Sequence, residues 1–126
     1  MLGTTGTTLQ TQTAVIEADD LQRTKTYGGR IKFVRVVTAS GAVTVATTDH
    51  IVIVNKTSGA ATTVNLPSSP TTGTVFHIKD GKGDAATNNL TVTPAAGNID
   101  GAATYVMSTN YESITLVYNN TEWSII

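Results

Sequence analysis

Short apolar runs alternate with polar segments along most of the chain from residue 49 onward. The runs hold four or five residues, mostly β-branched or aromatic, and lie at residues 51–54, 74–78, 90–93, 114–118 and 123–126. The segments between them are rich in Gly, Pro, Asn, Asp, Ser and Thr. Short runs bounded by turn residues predict strands, and Asn119-Asn120 predicts a hairpin turn. We therefore expect an all-β fold, an antiparallel β-sandwich, barrel or prism-like domain.

Two of the predicted strands differ in how many of their faces are apolar. Residues 30–37 alternate, with Ile31, Phe33 and Val37 on one face, which predicts a strand with one solvent-exposed side. Residues 50–54 are apolar on both faces, which indicates cover by another layer or by a neighbouring subunit. An interface between subunits is predicted to contain Ile51, Ile53, Val54, Trp123 and Ile125.

The first part of the chain has a different composition. Residues 1–14 contain only two large aliphatic side chains besides the initial Met, so this segment cannot bury enough surface to fold alone. We predict that residues 1–38 form an extended N-terminal arm and docking segment, and that residues 39–126 form the β domain. The residues expected to dock on a larger partner or on a neighbouring subunit are Leu2, Leu9, Val15, Ile16, Arg30 and Lys32.

Low charge is the main feature of the composition. Only 13% of the residues are charged and the formal net charge is −1, against about 25% charged residues in an average globular protein. Threonine makes up about a fifth of the chain, and its stiff, branched side chain suits a half-buried strand. A surface with so few charges is poorly protected against association, so we expect the chain to work inside an assembly. No apolar run has the length of a membrane span, and we expect no membrane partner.

Basic residues cluster between residues 23 and 35, with Tyr27 and Phe33 among them. They are Arg23, Lys25, Arg30, Lys32 and Arg35. Nucleic-acid contact is one interpretation, but a nucleic-acid-binding domain is expected to be basic overall. Charge complementarity with an acidic protein surface explains the cluster more simply, and a solvated strand face explains it as well. We expect no nucleic-acid partner.

Candidate chemistry is sparse. The loop that contains Asp80, Lys82 and Asp84 faintly resembles a cation-binding loop, but it lacks a third acidic ligand and a distal Glu, so a solvated turn is the simpler interpretation. His50 and His77 lie within apolar strands, which is typical of structural histidines, and the chain contains no Cys. No nucleophile motif is present. We predict no catalytic residue, no metal ligand, no cofactor and no enzymatic activity.

The order of these strands and turns resembles β-rich modules in the virion proteins of tailed bacteriophages, which occur in tail fibres, tailspikes and head-surface proteins. The resemblance covers about two thirds of the chain. It rests on residues 48–55, Leu66-Pro67, residues 73–81, residues 90–94, Ile99-Asp100-Gly101, residues 116–119 and Trp123-Ser124-Ile125. It implies a homotrimeric, non-enzymatic structural protein on the virion surface, made in the cytoplasm of the host bacterium.

Within that class, we expect a head-decoration or cement protein (a head fibre) whose partners are its own copies and the major capsid protein or another virion protein. The alternative is a short tail-fibre or tail-tip protein that attaches to the host surface. Its receptor-facing loops would then contain Asp80, Lys82, Asp84 and Tyr111. A sugar-active enzyme is a third alternative, from another class, and it would need two carboxylates about 5–10 Å apart in a groove.

Overall fold

Nine strands make up the regular structure of residues 32–126, the part of the chain that the computed structural model describes. No helix occurs in this range, so the prediction of an all-β fold is confirmed. The strands are β1 (Val34–Val37), β2 (Val43–Thr44), β3 (Ile51–Val54), β4 (Thr62–Asn65), β5 (Val75–Asp80), β6 (Leu90–Thr93), β7 (Tyr105–Met107), β8 (Ser113–Tyr118) and β9 (Trp123–Ile125).

The first six strands belong alternately to two sheets. One sheet has the order β1-β3-β5-β8-β9 and the other has the order β2-β4-β6-β7. The chain therefore winds from one sheet to the other and back, and each strand lies beside the strand two positions earlier. We call the strand pairs β1–β2, β3–β4 and β5–β6 coils, because they stack along one direction like the repeats of a solenoid.

The pairing of the strands corrects the prediction of an antiparallel architecture. Four strand pairs are parallel: β1 with β3, β3 with β5, β2 with β4, and β4 with β6. Only the pairs made by β7, β8 and β9 are antiparallel. Parallel neighbours need a crossover connection, and here the strand in the opposite sheet supplies it.

One hydrophobic core is built from both sheets. The five-stranded sheet contributes Val52, Phe76, Ile78, Ile114, Leu116 and Trp123, and the four-stranded sheet contributes Val43, Val64, Leu90, Val92 and Met107. These residues occupy alternate positions of their strands, as the two-residue period of a β-strand requires. Residues on the intervening positions form the two outer faces.

The β unit begins earlier than predicted. It extends from Phe33 to Ile126, because β1 pairs with β3 along its full length, from Val34 beside Ile51 to Val37 beside Val54. Residues 33–38 therefore belong to the β domain and not to an N-terminal arm. Of the strand predicted at residues 30–37, the part within the described residues is a strand from Val34 to Val37, and residues 30 and 31 lie outside the described residues.

The predicted hairpin at residues 119–120 is confirmed. It connects β8 to β9, with Tyr118 opposite Trp123, and Asn120 has a φ of 83°. The Asn119 side chain accepts hydrogen bonds from the amides of Thr121 and Glu122. Asparagine suits such a turn because its side chain bonds the local backbone and it tolerates positive φ.

Candidate functional site

Asp80 lies at the end of β5, where its side chain organises two loops. The residue is 1% exposed. Its Oδ1 accepts a hydrogen bond from the amide of Gly83, and its Oδ2 accepts bonds from the amides of Ala85 and Tyr111, each at 3.0 Å. Burial acts to raise the pKa of Asp80, but these amides and that of Lys82 outweigh it, so the pKa lies below its usual value. Asp80 therefore ties the loop of residues 81–89 to the turn of residues 108–112.

Tyr111 lies at the tip of that turn in a costly conformation. Its φ is 64°, in the left-handed region that bulky residues rarely adopt, and such a residue costs about 1–3 kcal/mol. The ring lies against Gly83, where an added Cβ would collide with it. The Lys79 Nζ donates to the Tyr111 carbonyl oxygen and lies 5.5 Å from the ring centroid. The residue is nevertheless 60% exposed.

Two further side chains fix the turn that carries Tyr111. The Glu112 carboxylate accepts hydrogen bonds from the amides of Ser108 and Thr109 and from the Tyr105 hydroxyl. The bond to Glu112, burial and the negative charge raise the pKa of Tyr105. The Asn110 Oδ1 accepts from the amide of Ala86, 2.9 Å away. Side-chain bonds therefore hold the turn from three directions.

Lys82 and Asp84 flank Gly83 in the chain and lie together beside Gly59. A Cβ on Gly59 would meet the Asp84 Oδ2 and the Lys82 Cε. Both side chains are half-buried and line a small cleft between the corners of the second and third coils. Ala60 and Thr62 line it from the second coil. The stem of Lys82 and the carboxylate of Asp84 therefore both cover Gly59 at this corner.

Lysines at equivalent corner positions connect successive coils. Because Val54 pairs with Asp80, Lys56 and Lys82 occupy the same position in the second and third coils. The Lys56 Nζ donates to the Gly41 carbonyl oxygen at 2.6 Å, and the Lys82 Nζ reaches the Thr57 carbonyl oxygen at 3.4 Å. Each lysine thus bonds the corner of the preceding coil. Lys56 is buried, which makes its role structural.

The outer face of the five-stranded sheet is apolar over β1 and β3. Val34 and Ile51 are paired neighbours, as are Val36 and Ile53. Val34 and Val36 are 47% and 52% exposed, and the two isoleucines are half-buried. We call these four residues the aliphatic patch. No charged side chain belongs to it.

The outer edge of β1 is also unpaired within residues 32–126. The carbonyl oxygens of Phe33 and Val37 accept bonds from β3 and the residue after it. The backbone groups of Val34 and Val36 therefore point away from β3, toward the free edge of the sheet. Arg35 is the charged residue of this strand, but its side chain binds Asp49 and does not protect the edge against pairing with another strand.

Arg35 and Asp49 form the ion pair of the first coil. The Arg35 Nη2 lies 2.7 Å from the Asp49 Oδ2 and also donates to the Thr44 carbonyl oxygen. Asp49 is 2% exposed. Burial acts to raise the pKa of Asp49, but Arg35 and the Ala46 amide outweigh it and hold that pKa below its usual value. The pair fixes β1 against the loop that leads into β3.

The structure separates the predicted interface residues into two groups. Ile51 and Ile53 lie on the outer face, as an interface requires. The prediction that Val54 and Trp123 lie in a subunit interface is wrong, because both are buried in the core of the single chain, at 3% and 0% exposure. Trp123 packs against the rings of Phe76 and Tyr118, with centroids 5.5 and 5.2 Å away. Ile125 also packs partly against this core.

The predicted loop residues also separate. Lys82 and Asp84 lie together beside Gly59, whereas Tyr111 packs against Gly83 and is exposed. The prediction that Asp80 faces a receptor is wrong, because its carboxylate is buried and accepts hydrogen bonds from backbone amides. Of the predicted docking residues, Lys32 is exposed, whereas five lie outside the described residues: Leu2, Leu9, Val15, Ile16 and Arg30.

Both histidines within residues 32–126 have structural partners. The His50 Nδ1 accepts from the amide of Phe33 at 2.8 Å, and the His77 Nδ1 lies 2.9 Å from the Thr115 hydroxyl. Across these residues, no group of three or more His, Asp or Glu side chains is arranged to hold a metal ion. The same part of the chain has no helix long and apolar enough to cross a membrane.

Comparison with protein-family models and with curated proteins supplies no role for these residues. No protein-family model matches the chain, and no curated protein sequence matches it.

Proposed function

We propose that this chain is a non-enzymatic structural protein of a tailed-bacteriophage virion, a homotrimer that decorates the head and docks on the capsid through residues 1–32. The single observation that carries the proposal is the aliphatic patch beside the edge of β1 that is unpaired within residues 32–126. An exposed edge strand is normally blunted by Lys, Pro or a bulge, and β1 has none of these at Val34 and Val36. Neighbouring subunits are the natural cover for such a surface.

Charge distribution supports the same proposal. Most of the charged side chains of residues 33–126 are engaged inside the fold, among them Arg35 with Asp49, Lys56 with Gly41, and Glu112 with its turn. The aliphatic patch is neutral, so two copies can approach it without like-charge repulsion. The number three comes from the resemblance to phage virion proteins, in which three chains share a core.

The oligomer is tested by native mass measurement and sedimentation of the full chain and of V36K. We expect the mass of three chains for the natural sequence and a folded single chain for V36K, because a lysine ammonium would be desolvated at the interface. T63K is the matched control, since Thr63 is exposed on the outer face of the other sheet. It should remain trimeric. A single compact subunit for the natural sequence would refute the trimer.

The head location is tested separately, by imaging particles incubated with the purified protein. We expect the full chain to cover the head and a form lacking residues 1–14 to remain trimeric but unbound. Saturation of capsids by the truncated form would disprove docking through the arm.

A second candidate function is a tail-fibre or tail-tip protein that attaches to the host surface. One observation favours it, namely the exposed and conformationally strained Tyr111. Particle imaging distinguishes the two candidates, because a tail protein would be found in a few copies at the tail and not over the head.

A further inference from the structure

His77 lies on the outer face of the five-stranded sheet, directly beside the aliphatic patch. It pairs with Ile51 of the patch on one side and with Thr115 on the other. Its neighbours in the strand, Phe76 and Ile78, belong to the core. Because side chains alternate along a strand, the half-buried imidazole lies on the same face as the patch. His77 therefore borders the patch on the side of β5.

An interface built on the patch has to reach this border. A specific protein interface buries about 800 Å² on each partner, more than four partly exposed aliphatic side chains provide. Within residues 32–126, β1 is the edge strand of the sheet, so the sheet extends the interface only across β5. There His77 and Lys79 lie beside Ile51 and Ile53. A subunit that covers the patch therefore covers or flanks the His77 ring.

Charged groups around His77 are few within residues 32–126. On its own strand, the Lys79 Nζ donates to the Tyr111 carbonyl oxygen at the corner of the sheet. The outward residues beside His77 on β3 and on β8 are all uncharged. Beyond β8, the C-terminal carboxylate belongs to Ile126, whose amide donates to the Thr115 carbonyl oxygen. His77 is therefore the side chain at this border whose charge changes between about pH 5 and 8.

The other histidine of the described chain is engaged differently. The His50 Nδ1 accepts from the amide of Phe33, so that ring serves the backbone at the start of β3. The His77 Nδ1 lies 2.9 Å from the Thr115 hydroxyl, which can donate to a neutral ring and accept from a charged one. Protonation of His77 therefore keeps the contact within the chain and adds a positive charge to the outer face.

We propose that His77 makes the trimer pH-dependent: subunits associate through the aliphatic patch while the ring is neutral and separate when it is protonated. The inference rests on the proposed function, since it needs the trimer. An imidazolium placed against the apolar surface of a neighbour loses its hydration, so the free subunit takes up a proton more readily than the trimer does. By linkage, the trimer is favoured above the range in which histidine titrates and is weakened as pH falls through it.

The test is sedimentation velocity of the full chain over a series of concentrations, at about pH 7.5 and at about pH 5. We expect the concentration at which half of the chains are trimeric to rise by at least about tenfold at the lower pH. The fold should remain intact there, because the pKa values of Asp49 and Asp80 lie below the usual aspartate value. Far-UV circular dichroism at both pH values verifies this.

H77Q is the decisive variant, because glutamine keeps a hydrogen-bonding group beside Thr115 and does not become charged. It should form trimers equally well at both pH values. H50Q is the matched control and should dissociate at the lower pH as the natural chain does. A second measurement needs no variant: the heat of dissociation of the natural trimer on dilution, measured in two buffers of different ionisation enthalpy, should show net uptake of protons.

The inference is overturned if the natural chain is equally trimeric at both pH values, or if its dissociation takes up no protons. It is overturned as well if H77Q dissociates at the lower pH as the natural chain does, or if H50Q alone abolishes the pH dependence. A trimer that persists at about pH 5 leaves the proposed function standing. A single compact subunit at about pH 7.5 refutes the trimer and this inference together.

Discussion

Replacement of Asp80 by asparagine tests whether one buried carboxylate organises the corner loops. In the native structure two carboxylate oxygens serve three amides. The best orientation of the asparagine keeps its oxygen toward Ala85 and Tyr111. Its NH₂ group then faces the amide of Gly83, so that two donors oppose each other in a site that is 1% exposed.

The expected loss of stability follows from these contacts. A hydrogen bond to a charged group contributes roughly 1.5–3 kcal/mol and a neutral one roughly 0.5–1.5 kcal/mol, so the two retained bonds weaken by about 1 kcal/mol each. The unsatisfied amide of Gly83 costs a further 1–3 kcal/mol or so. We therefore expect D80N to lose about 3–5 kcal/mol of the free energy of unfolding, a large share of the roughly 5–15 kcal/mol of a typical domain.

Urea denaturation at a fixed protein concentration measures this loss. D84N is the matched control, because Asp84 is half-buried and an asparagine there keeps a bond to Asn88. It should change the free energy of unfolding by less than about 1 kcal/mol. A loss below about 1 kcal/mol for D80N would show that its amide contacts do not organise the corner.

The pH dependence provides a second measurement on the same variant. The pKa of Asp80 is lower in the folded protein than in the unfolded chain, where an aspartate has a pKa of about 3.9. Its contribution is therefore fully present above that value and is lost as pH falls through the folded-state pKa. Asp49 contributes in the same direction. D80N should show a shallower, but not flat, loss of stability below about pH 4. Equal slopes for both proteins would contradict this assignment.

Two other substitutions have defined outcomes in thermal unfolding. G83A should destabilise the fold by about 2 kcal/mol or more, because it adds the strain of a positive φ and displaces the Tyr111 ring. The control is G41A, which has open space around its Cβ and should cost only the strain, about 1–2 kcal/mol. Equal losses of stability for the two variants would exclude a contribution from the ring contact. R35A should cost about 1–2 kcal/mol, since Asp49 stays buried with only the Ala46 amide as donor; an unchanged melting temperature would show that the ion pair does not fix β1.

Several strands could be predicted closely from the sequence. Residues 51–54 and 90–93 match the observed strands β3 and β6, and residues 114–118 match β8 to within one residue, because β-branched and aromatic runs between turn residues carry a local signal. The hairpin at Asn119 and Asn120 was predictable for the same reason, since the turn chemistry lies in the turn residues themselves.

The winding of the chain was not predicted, although the sequence carries a weak signal for it. Gly41-Ala42 is followed by Val43-Thr44, Gly59-Ala60 by Val64-Asn65, and Lys82-Gly83 by Val92-Thr93. These pairs align in the structure, with Val43 beside Val64 and Val64 beside Val92. The segment between glycine and valine lengthens from coil to coil, which hides the repeat from a search at a fixed period.

The corner that Asp80 organises is only half visible in the sequence. The sequence predicts a solvated turn around Asp80, Lys82 and Asp84 and receptor-facing loops that include Tyr111. The burial of Asp80 was not predicted, because a carboxylate at a loop boundary normally lies in solvent. Its three amide partners lie 3, 5 and 31 residues away along the chain.

The sequence by itself determined the strands and turns of this protein, since both follow from the preferences of neighbouring residues. Only the tertiary structure decided which strands became parallel neighbours, which side of β3 lay in the core, and that Tyr111 meets Gly83 across 28 positions of the chain. Distant segments offer the same backbone hydrogen bonds. Which strands pair is therefore decided by the packing of the whole core and not by any local pattern.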